Sequence, residues 1–363
     1  MFKSSSWLSV ESKSKFVEKS NWKTVLIFIG QAIIYILCLI GALADYSSLA
    51  NLILSVFLGL VIGQTFLIGH DACHQAFAKN SSLNKLIGRI ALSWTLHSYT
   101  LWHLEHNIRH HGYTNIIGKD PSWSPFTKEE YDQLSSIRKI LEHFYRGPLG
   151  AGAYYIIEMW LKIHAFPVGP NARSEWKRHF LDSALVIFVF VIQILGISHL
   201  GKFVDPGKSL PEILLLGWIV PFLTWNWLMG FAIYLHHTHP AIPWFTQDKR
   251  PSFNHIQIHA TTHVIFPIPL TYLFYNIMEH TAHHLQPSIP MYKLYSAQKQ
   301  LEQKHGDRIV RYQWSFKEYF RITKVCKLFD PERNCWTDFN GNPTSPQIFK
   351  PKHQASISSS ETC

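Results

Sequence analysis

Charged residues are scarce in this chain. Asp, Glu, Lys and Arg make up only 16% of its 363 residues, whereas soluble domains usually carry about 25%. The shortage comes from long uncharged runs, and hydrophobic residues account for 47% of the chain. Such a composition argues against an ordinary soluble protein and indicates an integral membrane protein.

Cysteine pairs and two common metal motifs are also missing. The five cysteines form no CxxC pair, which argues against a zinc knuckle or a thioredoxin-like site. The chain contains no HExxH, so the usual zinc-protease helix is excluded. Carboxylate-bridged di-iron bundles need two Glu-x-x-His pairs, and only Glu302 and His305 have that spacing.

The net charge of +10 does not indicate a nucleic-acid partner, because no basic helix or aromatic-basic stripe accompanies it. In a membrane protein such an excess usually faces the anionic cytoplasmic surface of the bilayer. Five lysines precede the first apolar run, and no Lys or Arg lies in the turn that follows it. We therefore expect the N- and C-termini in the cytoplasm, most simply at a bacterial inner membrane.

Four segments are long and apolar enough to cross a bilayer as helices. They cover residues 24–44, 49–69, 181–200 and 213–235. The pattern predicts an all-α integral membrane protein with four transmembrane helices in two hairpins and a cytoplasmic helical cap. Shorter apolar stretches at 90–102 and 150–157 are typical of helices that lie in the membrane interface.

The expected organisation is a single membrane domain with polar ends. Residues 1–23 form a cytoplasmic N-terminal segment, and residues 24–335 form the membrane domain. The tail from 340 to 363 is rich in Ser, Pro and Lys, a composition typical of disorder.

Half of the 22 histidines fall in four tight groups, at residues 70–74, 106–111, 236–239 and 280–284. Three of these groups contain histidines four residues apart, which share one face of a helix. Each can therefore aim two or three imidazoles at one point, and neutral imidazole binds iron, copper, nickel and zinc. These three groups supply eight candidate ligands: His70, His74, His106, His110, His111, His280, His283 and His284. Eight are too many for one metal ion but enough for two.

The remaining histidines are interpreted differently. The stripe His255, His259 and His263 has the same spacing and is an alternative ligand set. The isolated histidines are expected to be structural: His97, His143, His164, His179, His199 and His305.

The histidine groups resemble the three histidine boxes of the membrane fatty acid desaturases, which have the patterns HxxxH, HxxxHH and HxxHH. GHDACH at 69–74 looks like the first box. HHTHPAIPW at 236–244 and NIMEHTAHH at 276–284 resemble the acyl-lipid, Δ12-like branch with bacterial members. The resemblance covers roughly residues 50–330. Ala72-Cys73 stands where many relatives have Cys-Gly, and neither residue is a required ligand.

The resemblance implies that the eight histidines bind two iron ions. It also implies a ninth ligand at the end of the fourth apolar helix, which we place at His237, with His236 and His239 as alternatives. Three carboxylates are expected to orient ligating imidazoles and fix their tautomers. They are Asp71, Glu105 and Glu279.

The activity that the resemblance implies is O2-dependent desaturation of a fatty acyl chain linked to a lipid, to CoA or to a carrier protein. The chain has no haem or flavin fingerprint, so we expect an external electron donor such as a ferredoxin or a cytochrome b5-like protein. The same scaffold could instead hydroxylate, or could decarboxylate a fatty acid to a terminal alkene, with Arg109 as a clamp for the acid. A metal transporter or a metal-binding scaffold is a more distant alternative, because transporter sites lie near the bilayer midplane.

Overall fold

Helices dominate the computed structural model, which describes residues 15–168 and 170–348. The α-helices up to the third membrane-length helix are α1 Asn21–Leu43, α2 Ser48–Cys73, α3 Ser81–Trp94, α4 Tyr99–Trp102, α5 Lys128–Asp132, α6 Ser136–Tyr145, α7 Gly150–Tyr154 and α8 Trp176–Val204. The later α-helices are α9 Leu210–Leu214, α10 Val220–His237, α11 Phe253–His259, α12 Ile268–Leu273, α13 His280–Leu285, α14 Met291–His305 and α15 Phe316–Val325. Three π-helical segments, π1 His103–His110, π2 Tyr155–Ala165 and π3 Leu215–Ile219, and one 3-10 helix, Pro170–Glu175, complete the helical part.

Four helices of the described chain have the length and apolar composition of membrane spans, which confirms the predicted all-α class and the number of membrane-length helices. They are Asn21–Leu43, Ser48–Cys73, Ala172–Val204 and Leu210–His237. Leu37, Ile53 and Leu195 on these helices are more than half exposed, as lipid-facing side chains are. The second and fourth helices extend further than the apolar runs predicted, and each carries part of a histidine group at its end.

The first two spans pack together, and four residues join them. The Asn51 side chain donates hydrogen bonds to the carbonyls of Ala42 and Ala44, at 2.7 and 2.8 Å. The connection between the third and fourth spans lies beside this turn, because Lys208 Nζ donates to the same Ala44 carbonyl at 3.0 Å. Both connections therefore lie at the end of the spans that is remote from the histidines.

α2 and α10 approach each other closely at Gly59. A Cβ atom on this glycine would lie 2.6 Å from the Thr224 Cβ and 2.9 Å from the Pro221 carbonyl oxygen. Such distances are below any normal contact, so only glycine permits this approach. The two helices that end in His70 and His237 are thereby held side by side.

The segment after α10 contains short strands that the sequence did not predict. β1 Thr262–Ile265 pairs in parallel with β2 Val310–Gln313. β3 Leu328–Asp330 pairs antiparallel with β4 Cys335–Thr337. A further bridge joins His263 to Glu279, the residue just before α13. These contacts hold α13 against the ends of the spans.

Two other regions differ in detail from expectation. The stretch 90–102, expected in the membrane interface, is mostly buried in the protein, with Leu92 and Trp102 at no more than 1% exposure. The start of the C-terminal tail is held in place, since the Ile348 amide donates to the Asn334 carbonyl. The rest of that tail, and residues 1–14 of the N-terminal segment, lie outside the described residues.

Candidate metal centre

Two compact groups of four histidines lie side by side at the ends of α2 and α10. In each group the candidate ligand atoms all lie within 4.8 Å of one another. One group consists of His70, His74, His106 and His283, and the other of His110, His237, His280 and His284. The structure thus brings together histidines from all three predicted boxes, and His237 from the fourth cluster joins them.

His111, the one box histidine that belongs to neither group, lies between them. Its Nε2 is 3.3 Å from the Nε2 of His106 in the first group. Its ring stacks on His284 of the second group, with centroids 4.2 Å apart. This position allows His111 to serve either group.

A π-helix places the second histidine box between the two groups. The sequence predicted an ordinary helix, in which only His106 and His110 share a face. In π1 the backbone hydrogen bonds connect residues five apart. The His111 amide therefore donates to the His106 carbonyl, which places these two residues one turn apart. His106 and His110, at the two ends of this turn, lie in different groups. Single π turns are frequent at functional sites.

Hydrogen bonds fix the orientation of three imidazoles in the second group. His110 Nδ1 lies 2.8 Å from Asp120 Oδ1, His237 Nδ1 lies 3.1 Å from Asn115 Oδ1, and His284 Nδ1 lies 2.7 Å from Gln257 Oε1. Each partner is an oxygen that accepts, so each Nδ1 carries the proton and each Nε2 presents a lone pair. This is the tautomer that a metal ligand needs, held by the arrangement usual around metal-bound histidine.

Asp120 is the strongest of these anchors. Besides His110, it accepts hydrogen bonds from the backbone amides of Asn115 at 2.8 Å and Ser122 at 2.9 Å. Burial by itself would raise the pKa of Asp120, but the interaction with His110 and the hydrogen bonds that the carboxylate accepts outweigh burial and hold the pKa below its usual value. The carboxylate therefore stays ionised in a buried position, where it can orient an imidazole.

Asn115, Asp120 and Gln257 were not predicted from the sequence. They lie outside the histidine boxes, and no spacing connects them to their partners. Asn115 has a positive φ of 51°, a conformation that asparagine tolerates better than most residues. Its side-chain nitrogen donates to the Pro243 carbonyl at 3.0 Å, which turns its oxygen towards His237.

The unpaired ring nitrogens of the buried histidines suit a metal ion that takes nitrogen ligands. Several of their ring nitrogens have no hydrogen-bond partner within the described chain, namely His74 Nε2, His111 Nδ1, His280 Nδ1, His283 Nδ1 and Nε2, and His284 Nε2. Unpaired buried polar atoms are costly, and a metal ion bound through one nitrogen of each ring would satisfy His74 Nε2, His284 Nε2 and one nitrogen of His283. Burial lowers the pKa of His283 well below its ordinary value, so its ring is neutral and able to ligate.

The distances between facing imidazoles agree with metal ligation. His70 Nε2 lies 3.0 Å from His106 Nε2, and His237 Nε2 lies 3.0 Å from His280 Nε2. Two nitrogens bound at about 2.1 Å and at right angles to one ion would be roughly 3 Å apart. Each group can therefore hold one ion, and the donors are those that iron and zinc accept.

The three predicted carboxylates occupy different environments. Asp71 lies 3.4 Å from His70 Nδ1 and accepts a hydrogen bond from the Met291 amide at 2.7 Å, so it is placed to orient His70. Glu105 forms an ion pair with Arg109. Glu279 is buried, with one carboxylate oxygen lacking a hydrogen-bond partner in the described structure, and burial raises its pKa to about 7.

The alternative ligands lie outside both groups. His236 stacks on His280 at 3.6 Å, and its Nε2 faces the Met278 sulfur at 3.0 Å. His239 lies 3.4 Å from Glu318. In the stripe on α11 and β1, the rings of His255 and His259 are in contact with centroids 4.3 Å apart, and His263 pairs with Glu302.

A narrow apolar cavity of about 50 Å³ runs along both histidine groups. Phe66, Met229 and Ile277 belong to its wall and also to the wall of a second cavity, of about 40 Å³, that continues between α2 and α10. No Lys or Arg among the described residues lines either cavity. This shape and polarity suit an unbranched hydrocarbon chain, and they offer no cation to hold a free acid beside the histidines.

Arg109 is not placed to act as such a clamp. Its guanidinium pairs with Glu105 and donates to the Lys119 carbonyl. The alkene-forming alternative, which depends on that clamp, therefore has no support from this geometry.

Comparison with known proteins agrees with the histidine geometry. The family profile described as "Fatty acid desaturase" matches residues 47–316, which include all three boxes. The chain belongs to the fatty acid desaturase family. Together with the four apolar helices, membership makes it an integral membrane protein.

Among the relatives of this desaturase-family chain are plant and cyanobacterial proteins. It is 30% identical over 276 residues to an omega-6 fatty acid desaturase, chloroplastic, of Spinacia oleracea, covering 76% of this chain and 59% of the spinach protein. It is 29% identical over 281 residues to an sn-1 oleoyl-lipid 12-desaturase of Picosynechococcus, covering 76% of each. The corresponding protein of Synechocystis is 27% identical over 285 residues, covering 76% of this chain and 75% of the relative.

Proposed function

We propose that this protein introduces a double bond into the acyl chain of a membrane lipid, using two iron ions, O2 and an external electron donor. The observation that carries the proposal is the pair of histidine groups beside a narrow apolar cavity. The names of the cyanobacterial relatives support an oleoyl-lipid substrate and a bond at carbon 12.

The nine histidines would hold the iron, four in each group with His111 between them. Bound iron and O2 would supply the oxidising power for removing hydrogen from an unactivated methylene, which no side chain provides. The protein itself contributes by holding the ligating imidazoles in position. Asp120, Asn115 and Gln257 keep three imidazoles in the ligating tautomer, and Asp71 does so for His70.

The cavity walls would hold the acyl chain against both groups. Phe66 and Met229 line both cavities and Ile277 flanks them, so one carbon pair can lie beside the histidines while the rest of the chain follows α2 and α10. The same apolar lining excludes bulk water from the reacting carbons. Fixing one carbon pair in this way decides where the double bond forms.

The histidine groups and both termini are proposed to face the cytoplasm of a bacterial inner membrane. The five N-terminal lysines support this orientation. The electron donor would be a ferredoxin or a cytochrome b5-like protein, and the positive excess of the chain suits an acidic partner.

Lipid analysis tests the activity. The gene is expressed in a host that makes oleoyl lipids but no dienes, and total lipids are compared by mass spectrometry with those of a host carrying the His283→Ala variant. We expect dienoic chains of unchanged carbon number from the wild type alone, and only under oxygen. Hydroxylated chains without dienes, or alkenes one carbon shorter, would contradict the proposal.

A further inference from the structure

His164 is a buried imidazole that belongs to neither histidine group. It lies on π2, is 2% exposed, and lines the apolar cavity together with His70 and His106. Both of its ring nitrogens lack a hydrogen-bond partner among the described residues. The sequence suggested only a structural role, but a structural histidine in this position would be expected to have a partner.

The neighbours of His164 cannot satisfy it. His97, whose ring centroid is 5.8 Å away, is already engaged at both nitrogens, with the Thr95 carbonyl and the Tyr155 hydroxyl, each at 2.8 Å. Burial lowers the pKa of His164 far below its ordinary value. The ring is therefore neutral and presents one N–H donor and one lone pair to the cavity.

A second residue with an unpaired polar atom lines the same cavity. The indole Nε1 of Trp102 is buried without a partner in the described structure, and its ring lies 4.8 Å from His164. Trp102 also stacks on His106, with centroids 4.5 Å apart and planes 20° from parallel. Trp102 thus contacts both His164 and His106, so the two residues with unpaired nitrogens lie beside the first histidine group.

We propose that His164, with Trp102, holds ordered water at the edge of the acyl cavity, which makes His164 a positioning residue for the reaction. Water is the ligand that accepts from one group and donates to the other, and an ordered buried water usually has two to four polar partners. A cavity of about 50 Å³ has room for it, since one water needs about 10–15 Å³ of such space.

The role of this water in the reaction rests on the proposed function, because desaturation takes up protons and forms water. Forming one double bond breaks two C–H bonds and the O–O bond. The acyl chain gives up two hydrogens with two electrons, the electron donor supplies two more electrons, the solvent supplies two protons, and two water molecules result. On the wall of this cavity, His164 offers those waters and protons a polar site near His106 that is not one of the proposed metal ligands.

The first test needs no activity. Structures of the full-length, metal-free protein are determined at a resolution that shows water, for the wild type and for His164→Leu. We expect density within hydrogen-bonding distance of a His164 ring nitrogen in the wild type and its loss in His164→Leu. A dry wild-type site would overturn the inference, whatever the protein's activity.

The second test uses the iron-loaded enzyme. It measures the coupling of O2 consumption to desaturation, which is the number of double bonds formed per O2 consumed. We expect His164→Leu to form several-fold fewer double bonds per O2 consumed, with hydrogen peroxide released instead, at unchanged iron content. His164→Gln, which keeps a donor and an acceptor, should restore most of the coupling, and His199→Ala, an exposed histidine on α8, should not alter it. Equal coupling in all variants, or equal loss in His164→Leu and His164→Gln, would refute the role. If neither the wild type nor any variant forms double bonds, the proposed function fails. The water site is then decided by the first test, which does not depend on activity.

Discussion

At the scale of single residues, His283 offers the clearest test of metal binding. Both of its ring nitrogens are unpaired and its side chain is fully buried. His283→Ala should reduce iron from about two to about one per chain, because only the first group loses a ligand. Elemental analysis of the purified membrane protein measures this, with His199→Ala as the control. Two full equivalents of iron in His283→Ala would exclude His283 as a ligand.

Asp120 should matter for metal affinity without touching the metal. Loss of an anchor that orients a ligating histidine typically weakens metal affinity 10–100-fold, so we expect a weakening of that order in Asp120→Ala. Competition with a chelator of known affinity measures it. The matched control is Asp132→Ala, which removes a half-exposed carboxylate paired with Lys128. Equal metal retention by the two variants would show that His110 does not depend on its anchor.

Residue identity and spacing were enough to select the histidines that lie in or beside the two groups, but not the residues that orient them. The box histidines stand at helical intervals, which identifies them as candidate ligands, but the spacing does not report that one box supplies both groups. Asp120 lies ten residues from His110, and Gln257 lies 27 residues from His284. Hydrogen bonds of this kind depend on the folded arrangement of loops, which no periodicity reports.

At the scale of elements, the π-helix π1 is the feature to test. Ile108 is 52% exposed, so its side chain contributes little to packing. Deleting it should shorten the wide turn and rotate His110 and His111 away from their groups, while Ile108→Ala keeps the turn. We expect the deletion to lose most bound iron and all activity at unchanged membrane insertion. Normal iron content in the deletion variant would show that the wide turn is unnecessary.

The close approach of α2 and α10 makes a prediction about stability. Gly59→Ala should destabilise the protein by about 1–3 kcal/mol, the usual cost of overpacking, because its Cβ would overlap Thr224. Gly30→Ala is the matched control, since nothing lies within 4 Å of the added Cβ. Thermal unfolding in detergent, followed by tryptophan fluorescence, compares the two. A Gly59→Ala protein as stable as Gly30→Ala would mean that the two helices can separate without cost.

Long elements were predictable and short ones were not. The four spans follow from some twenty apolar residues each, which leaves little choice of structure. The four strands have only three or four residues, too few for an alternating pattern to stand out. The π turn escaped prediction because its sequence also fits an α-helix.

At the scale of the whole molecule, the sidedness of the membrane spans is the main prediction. The two connections between spans lie together, joined by the hydrogen bond from Lys208 to Ala44, and the histidines lie at the opposite ends. Reporter fusions after Asp45 and after Lys208 should therefore be active outside the cytoplasm, and a fusion after Lys299 inside it. A cytoplasmic signal from either connection, or an external one from the last fusion, would contradict this orientation.

The membership of the two histidine groups has a consequence for biosynthesis. Each group contains histidines from α13, the last of the three boxes along the chain. The first group is complete once the ribosome has made His283 and the second once it has made His284, and by then all four spans have already been synthesised. If the groups bind iron as proposed, neither can be filled before all four spans have been synthesised, and a nascent chain stalled before α13 would present two incomplete sets of imidazoles.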